Sequence, residues 1–593
     1  MKEIVSQVVS YPNLIPLCID AFYTTFHFYH DLVPYSILQY LSTCRKETID
    51  FCNAGISLWL QNISVFTGEF FRSYYKTELT GILNYISDCL SYGQVAQIYI
   101  LKQILSKMSG WNPPENLTEK MLKSLAGGPK LKIAAYKLGE DRSKTAKSSA
   151  SLCNALQEKW PGSSLNYFLK LTILASQQAS AILYSQSCNF KILALLYDNL
   201  ISSIILLVDI LFLQLKQAKT YSELLPQSPI VVLSKTYNLP LPIIMYIVRP
   251  GIDISNIENV IEQLKTVEPD CKIPIQFFAI FWALSLSDIK SAETQYNQEI
   301  SALNDGSSKV GNKNQVLVEN LTGELSFLKR KQDFFADVIR KYSQIPKDCQ
   351  ICTELVQKGI YPRLLCSPGD ALYCAYFLET IVKLQISDFP IFELIEKCIE
   401  LILPCINCCT EGEASNIGFF FLELLSILTK WKNSIETESK FPYFKDQTLK
   451  TFSTYFTSFH NMILKILISG LQSTYIVQKN CLNIINRIFA EFPSNKDCAN
   501  EISVCIAPLK ESNHEDLKLI AQRIYDNVRV KFAGSPKPAV RAEVPSKRPR
   551  EEENGHKNSS SRDVRHDKHY RKGDNKRDSY NDKKGYRHSK NPY

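Results

Sequence analysis

From residue 1 to about residue 110, apolar side chains recur at three- and four-residue spacing, as in Ile37, Tyr40 and Leu41 and again in Leu101, Ile104, Leu105 and Met108. That spacing gathers them on one face of a helix. Short breaks at Tyr11-Pro12-Asn13, Gly68 and Asn112-Pro113-Pro114 separate the helices. The result is a pair of antiparallel helices about every 35 to 45 residues, a period that predicts stacked helical repeats.

The pattern changes over 111–150, where Pro113, Pro114, Gly127, Gly128 and Pro129 precede Arg142-Ser-Lys144-Thr-Ala-Lys147-Ser-Ser. This polar, basic stretch reads as an ordered loop. Helical spacing resumes over 151–220, and Pro226, Pro229, Pro240, Pro242 and Pro250 then interrupt it repeatedly. Residues 304–316 hold two glycines and almost no apolar anchor, the composition of a mobile linker. Beyond them Leu321, Leu325, Leu328, Phe335, Val338 and Ile339 interleave with charges, as in a long amphipathic helix. From Ala533 onward no Leu, Ile, Phe, Met or Trp occurs in 61 residues, so burial cannot offset the entropy of ordering that segment.

These patterns predict an N-terminal helical-repeat block over 1–225 and a proline-punctuated joint, opening a second block, over 226–303. A mobile linker over 304–320, a C-terminal helical-repeat block over 321–532 and a disordered basic tail over 533–593 follow. The fold class is all-α, a helical-repeat (HEAT/MIF4G-like) α-solenoid. Composition agrees: only 22 glycines in 593 residues leave few tight turns for sandwiches or barrels. The most apolar stretch, Leu200 to Leu215, is interrupted by Asp209 and falls short of the roughly 20 residues of a membrane span. It reads as a buried helix, and neither a membrane partner nor a secretory signal is expected.

Charge is distributed unevenly. The net charge is +9, yet residues 533–593 hold 17 Lys and Arg against 9 Asp and Glu, leaving 51 against 50 in the rest. A neutral body with a basic arm points to a polyanionic partner. Within the arm, Lys547, Arg548, Pro549 and Arg550 form a candidate nuclear-localisation cluster. Beyond them Arg562, Arg565, Lys568, Arg571, Lys572, Lys576, Arg577, Lys583, Lys584 and Arg587 alternate with Tyr570, Tyr580 and Tyr586. Cations neutralise phosphates and tyrosines stack on unpaired bases, so single-stranded RNA is the expected partner. Inside the body, Arg142, Lys144 and Lys147 form a candidate basic patch.

Catalytic and metal chemistry find little support. Cys349, Cys352, Cys366 and Cys374 begin with a zinc-like Cys-x2-Cys, but seven residues separate the second pair where a tight knuckle is usual, and Leu372, Tyr373 and Phe377 continue a helical face around it. Buried, reduced thiols are the preferred reading, as for the other cysteines. His27, His30 and Asp31 share a helix face but lack a fourth ligand. Nucleophile-elbow, phosphate-loop and dinucleotide-binding glycine patterns do not occur. No enzyme, cofactor, metal or small-molecule substrate is expected.

Several stretches resemble the large subunit of the THO complex. Ile100 to Gly110 is followed by Leu117-Thr-Glu, Ala126-Gly-Gly and Arg142-Ser-Lys-Thr-Ala-Lys147. Val248-Arg249-Pro250 leads to Phe281-Trp282-Ala-Leu-Ser-Leu-Ser-Asp288, then Tyr296 and Glu299. Tyr361-Pro362-Arg363 and Asp370-Ala-Leu-Tyr373 lead to Cys409-Thr-Glu411-Gly-Glu413-Ala-Ser415, Gly418 and Thr429-Lys-Trp431. The resemblance implies a non-enzymatic nuclear scaffold of a THO/TREX-type assembly, which couples transcription to mRNA packaging and nuclear mRNA export. Its implied partners are other THO subunits, a DEAD-box RNA helicase and mRNA, with residues 60–220 facing the helicase. It also implies several hundred further residues before the point matching Met1. A helical-repeat nuclear transport receptor or adaptor is the alternative. Thr410 or Ser415 is expected to cap a helix beginning near Glu411, and Phe281, Trp282, Tyr373 and Trp431 are expected in the core.

Overall fold

Why the chain winds into helix after helix is visible in one pair. Leu58–Ser73 places Leu60, Ile63, Phe66, Phe70 and Phe71 on one face, and Ile98–Ser109 answers with Ile100, Leu101, Ile104, Leu105 and Met108, all buried. At their crossing, a Cβ on Gly68 would lie 2.9 Å from the Gln103 carbonyl oxygen, so only glycine permits this approach. Lys107 then closes the edge on Glu69 at 2.7 Å. Gly110, left-handed at φ +65°, ends the second helix.

The computed structural model describes the chain to Ala533, apart from residues 24–29, 53, 112–116, 137–141, 186–188, 216, 306–310, 344–347, 387–388 and 438–448. Among the described residues the architecture is an all-α stack of helical repeats, and the one sheet is a short antiparallel ladder pairing Ile49 with Ile56 and Asp50 with Gly55. A single apolar core runs from Val5 to Val528, and Met1–Ser535 constitute one unit. Phe190–Leu215 is long and apolar enough to cross a membrane. In the fold it packs against Tyr167–Leu183 and Ile98–Ser109, with Leu200, Leu207 and Leu211 fully buried.

Two stretches differ from the sequence expectation. The basic stretch expected as a loop is helical from Arg142, in Arg142–Gln157. Its small polar residues are partners of the neighbouring helices: Ser148 donates to the Met108 carbonyl at 2.6 Å and Ser151 to that of Tyr75 at 2.6 Å. The linker expected over 304–320 lies outside the described residues at 306–310, and from Gly311 it begins one helix, Gly311–Tyr342. Polar anchors, invisible to a search for apolar ones, hold that helix. Glu324 accepts from the backbone N–H groups of Lys130 and Leu131 at 3.2 and 3.3 Å and from the Tyr296 hydroxyl at 2.7 Å. The same hydroxyl accepts from Gly128 N–H at 3.0 Å. A Cβ on Gly128 would intrude on the Glu324 carboxylate, so the Gly-Gly turn is required for this contact.

The proline-rich joint contains short helices, Pro229–Lys235, Leu241–Val248, Ile257–Val267 and Ile275–Ala283, and a buried ionic cluster forms where it meets the C-terminal helices. Arg363 is fully buried. Its Nε donates to Asp370 Oδ1 at 3.0 Å, Nη2 donates to the Leu284 carbonyl at 2.6 Å and Nη1 donates to that of Phe281. The guanidinium lies 3.5 Å from the Tyr373 ring centroid and 5.1 Å from that of Phe281. Arg249 grips the other side of Asp370, with Nη2 to Oδ2 at 3.1 Å. Burial alone would raise the Asp370 carboxyl, but the charges of Arg249 and Arg363 outweigh it and hold it at about 2.

Removing one member of this cluster leaves an uncompensated buried charge. Asp370→Asn is expected to lower stability by about 3–5 kcal/mol, read as a lower denaturant midpoint with helicity retained before the transition. Because the folded carboxyl titrates below its unfolded value, its contribution is present above about pH 4 and fades as the pH falls toward about 2. A midpoint equal to wild type would show that the cluster carries no structural weight.

Candidate functional site

Between the N-terminal helices and the C-terminal ones lies a cleft of about 1390 Å³. Its first wall comes from Lys102, on Ile98–Ser109, and from Asp198 and Asn199, on Phe190–Leu215. Facing them are Glu411, Gly412 and Glu413, which open Glu411–Thr437, then Lys479 and Arg487 on Tyr475–Ile488 and Arg523 on Glu515–Ala533. Seven charged side chains are thus set into a lining that is otherwise mostly apolar.

A helix start forms the clasp across the cleft. Thr410 is the cap, in preference to Ser415: its hydroxyl accepts from Glu413 N–H at 3.1 Å, while its own N–H donates to Glu413 Oε2 at 3.0 Å. This is a reciprocal capping box. The Thr410 hydroxyl also donates to Asp198 Oδ1 at 2.8 Å, across 212 residues of sequence. Gly412 N–H donates to the same carboxylate, which therefore sits at the positive end of the Glu411–Thr437 helix. Lys479 bridges Glu411 and Asp516, the latter at 3.0 Å, and Asn480 donates to the Cys409 carbonyl at 3.0 Å. On the opposite wall Lys102 donates to Asn199 at 3.0 Å.

Burial dominates the electrostatics of the clasp. Burial pushes Asp198 up to about 6, against the pull of the Thr410 hydroxyl, the Gly412 N–H and Lys102. Burial likewise pushes Glu413 up to about 7, opposed by the Thr410 N–H and reinforced by the charge of Asp198.

The sequence candidates are dispersed. Lys147 is exposed on Arg142–Gln157, whereas the side chains of Arg142 and Lys144 lie outside the described residues. So do Lys547, Arg548, Pro549 and Arg550, and the whole arm set from Arg562 to Arg587. Among the cysteines, Cys349 is exposed, Cys352 and Cys374 are buried and Cys366 is half-buried. Cys366 donates to the Pro362 carbonyl at 3.4 Å, and burial pushes its thiol, like that of Cys352, up to about 12. No group of three metal-ligating side chains occurs among the described residues. His30 sits 3.1 Å from Asp31, and His27 lies outside the described residues. Phe281, Trp282, Tyr373 and Trp431 are core residues as expected. Asp198 is not singled out by the sequence; its one signal is that it is, with Asp209, one of two carboxylates in a largely apolar helix.

The two raised carboxyls give the clasp a pH dependence. Each favours its protonated form in the fold, so the stabilisation is complete below about pH 4 and is lost as the pH rises through about 6 to 7. The wild-type denaturation midpoint is expected to fall between about pH 5 and about pH 8, with a shallower fall in Asp198→Asn and Glu413→Gln. Equal slopes in all three proteins would exclude these residues as its source.

Comparison with known proteins places the clasp and the ionic cluster in context. Residues 270–528, which hold both Asp370 and Thr410, match the family described as "Transcription factor/nuclear export subunit protein 2", and residues 1–64 match "Transcription- and export-related complex subunit". THO complex subunit 2 of Arabidopsis thaliana is 24% identical over 88% of this chain and 33% of its own length. The Homo sapiens protein of that name is 26% identical over 74% of this chain and 30% of its own length, and the Saccharomyces cerevisiae one 23% over 89% and 33%. The chain therefore spans about a third of the length of these relatives. Two family matches, and similarity running through most of the chain, make this a THO complex subunit 2-like protein.

Proposed function

We propose that this chain is a scaffold of a THO/TREX-type complex, coupling transcription to mRNA packaging and nuclear mRNA export, and that it acts without catalysis. The observation carrying this reading is the single core from Val5 to Val528, which joins every described helical repeat into one stack. Stacked helix pairs offer long, continuous surfaces on which several partners assemble. Other THO subunits and a DEAD-box RNA helicase are the partners the resemblance suggests, with the helices of 60–220 as the helicase-facing part.

The arm supplies the second half of the proposal. Its basic residues and tyrosines suit single-stranded RNA held by phosphate neutralisation and base stacking, without sequence readout. Lys547, Arg548, Pro549 and Arg550 would direct the chain to the nucleus. The proposed organisation is a neutral body, in two blocks over 1–225 and 321–532 joined through 226–303, and an RNA-contacting arm.

Affinity purification of the tagged chain from nuclease-treated nuclear extract tests the scaffold. Other THO subunits and a DEAD-box helicase are expected to remain bound without RNA; recovery of transport receptors alone would overturn the reading in favour of a transport adaptor. Deleting 536–593 is expected to weaken single-stranded RNA binding at least tenfold, to flatten its salt dependence, and to leave thermal unfolding of the body unchanged. A loss of body stability on that deletion would overturn the division of labour.

A further inference from the structure

The cleft's carboxylates and its arginines differ in one respect. Glu411 is paired with Lys479, Asp198 with the Thr410 hydroxyl, and Glu413 with the Thr410 N–H. In the same cleft, Arg487 and Arg523 have neither an ion-pair nor a hydrogen-bond partner among the described residues. Arg487 is half-buried, and its guanidinium is held over the Phe419 ring at 4.6 Å. Gly418 permits that placement, because a Cβ there would lie 3.2 Å from both Cβ and Cγ of Arg487. Arg523 is exposed and approaches from the last helix. Burial and the like charge of Arg523 together push the Arg487 guanidinium below its ordinary value, with no acid to compensate. Asn483, one turn before Arg487 on the same helix, and Asn486, the residue just before it, also line the cleft with their amides unbonded among the described residues.

A partly desolvated cation beside a second cation is unfavourable unless an anion joins them. Two guanidinium forks with two neighbouring amides offer more donors than one carboxylate can accept. They match a tetrahedral oxyanion bearing two charges. We infer that Arg487 and Arg523, assisted by Asn483 and Asn486, form a site for a doubly charged phosphate group, either free phosphate or the phosphate monoester of a modified side chain. A phosphodiester fits less well. It carries one charge per group, and the aromatic ring beside the pair, Phe419, is 2% exposed and covered by Arg487, leaving no platform for a base. The inference stands on the cleft alone and does not require the RNA-binding arm.

The test uses the full chain, with inorganic phosphate, a phosphoserine peptide, its unphosphorylated form and a single-stranded oligoribonucleotide as probes. The readout is the rise in unfolding temperature of the body as each probe is added, since a ligand of the folded state stabilises it by mass action. Binding to the basic arm is common to wild type and variants and cancels in the comparison. Wild type is expected to be stabilised by phosphate or the phosphopeptide and not by the unphosphorylated peptide. A response to phosphopeptide alone would assign the site to a modified protein segment, and an equal response at equal concentration to free phosphate. Arg523→Gln, an exposed change, is expected to weaken the apparent affinity about tenfold to a hundredfold. Arg487→Lys should weaken it less than Arg487→Gln, because it keeps the charge and loses the fork. Absence of any shift in wild type, an Arg523→Gln response equal to wild type, or stabilisation by the oligoribonucleotide alone would overturn the assignment.

Discussion

One carboxylate, Asp370, sets the terms for the middle of the molecule. It is almost fully buried between Arg249, which arrives from the proline-rich joint, and Arg363, which is itself sealed among Phe281, Trp282 and Tyr373. Neither arginine is tolerable there without the acid, and the acid is not tolerable without them. The end of Leu241–Val248, through Arg249, and the end of Ile275–Ala283, through the carbonyls of Phe281 and Leu284, are therefore both tied to this one cluster. Arg363 also consumes the carbonyls of Phe281 and Leu284 at the end of the Ile275–Ala283 helix, so the cluster terminates one helix while anchoring another.

The Thr410 clasp repeats this logic with weaker chemistry. A capping box normally serves its own helix; here the same hydroxyl also reaches Asp198 on a helix of the other block. The motifs that resemble the THO family fall on such joints. Gly128, Tyr296, Arg249, Arg363, Asp370 and Thr410 each link elements far apart in sequence. A family resemblance with no catalytic motif is thus accounted for by residues that fix how helices meet.

The helical architecture was legible because apolar periodicity is a local signal, and the core positions at Phe281, Trp282 and Tyr373 followed from it. The helix over Gly311–Tyr342 was not legible at its start. Its anchors, Asn320, Glu324 and Gln332, are polar residues that bond the backbone or side chains of Lys130, Leu131, Ser287 and Lys290, and polar residues in a Gly-containing stretch read as a linker. The start of Arg142–Gln157 is hidden for the same reason: Ser148, Ser149 and Ser151 bond to neighbouring elements, and polar residues of this kind read as a loop. Thr410 was legible as a helix cap, but the cleft was not, since the pairing of Thr410 with Asp198 and the approach of Arg523 to Arg487 arise only through tertiary structure.

Repeat proteins usually close each contact with a neighbour in sequence and can form from any point along the chain. The Asp198–Thr410 bond departs from that rule. During synthesis, Phe190–Leu215 emerges long before its partner exists, and the carboxylate in it waits some two hundred residues for its donor. Contacts of such sequence separation raise contact order and delay the last step of assembly. The N-terminal helices therefore leave the ribosome with an open ionic edge, while the apolar side of Phe190–Leu215 is already met by the earlier helices Ile98–Ser109 and Tyr167–Leu183, so what waits for the C-terminal helices is charge rather than exposed core.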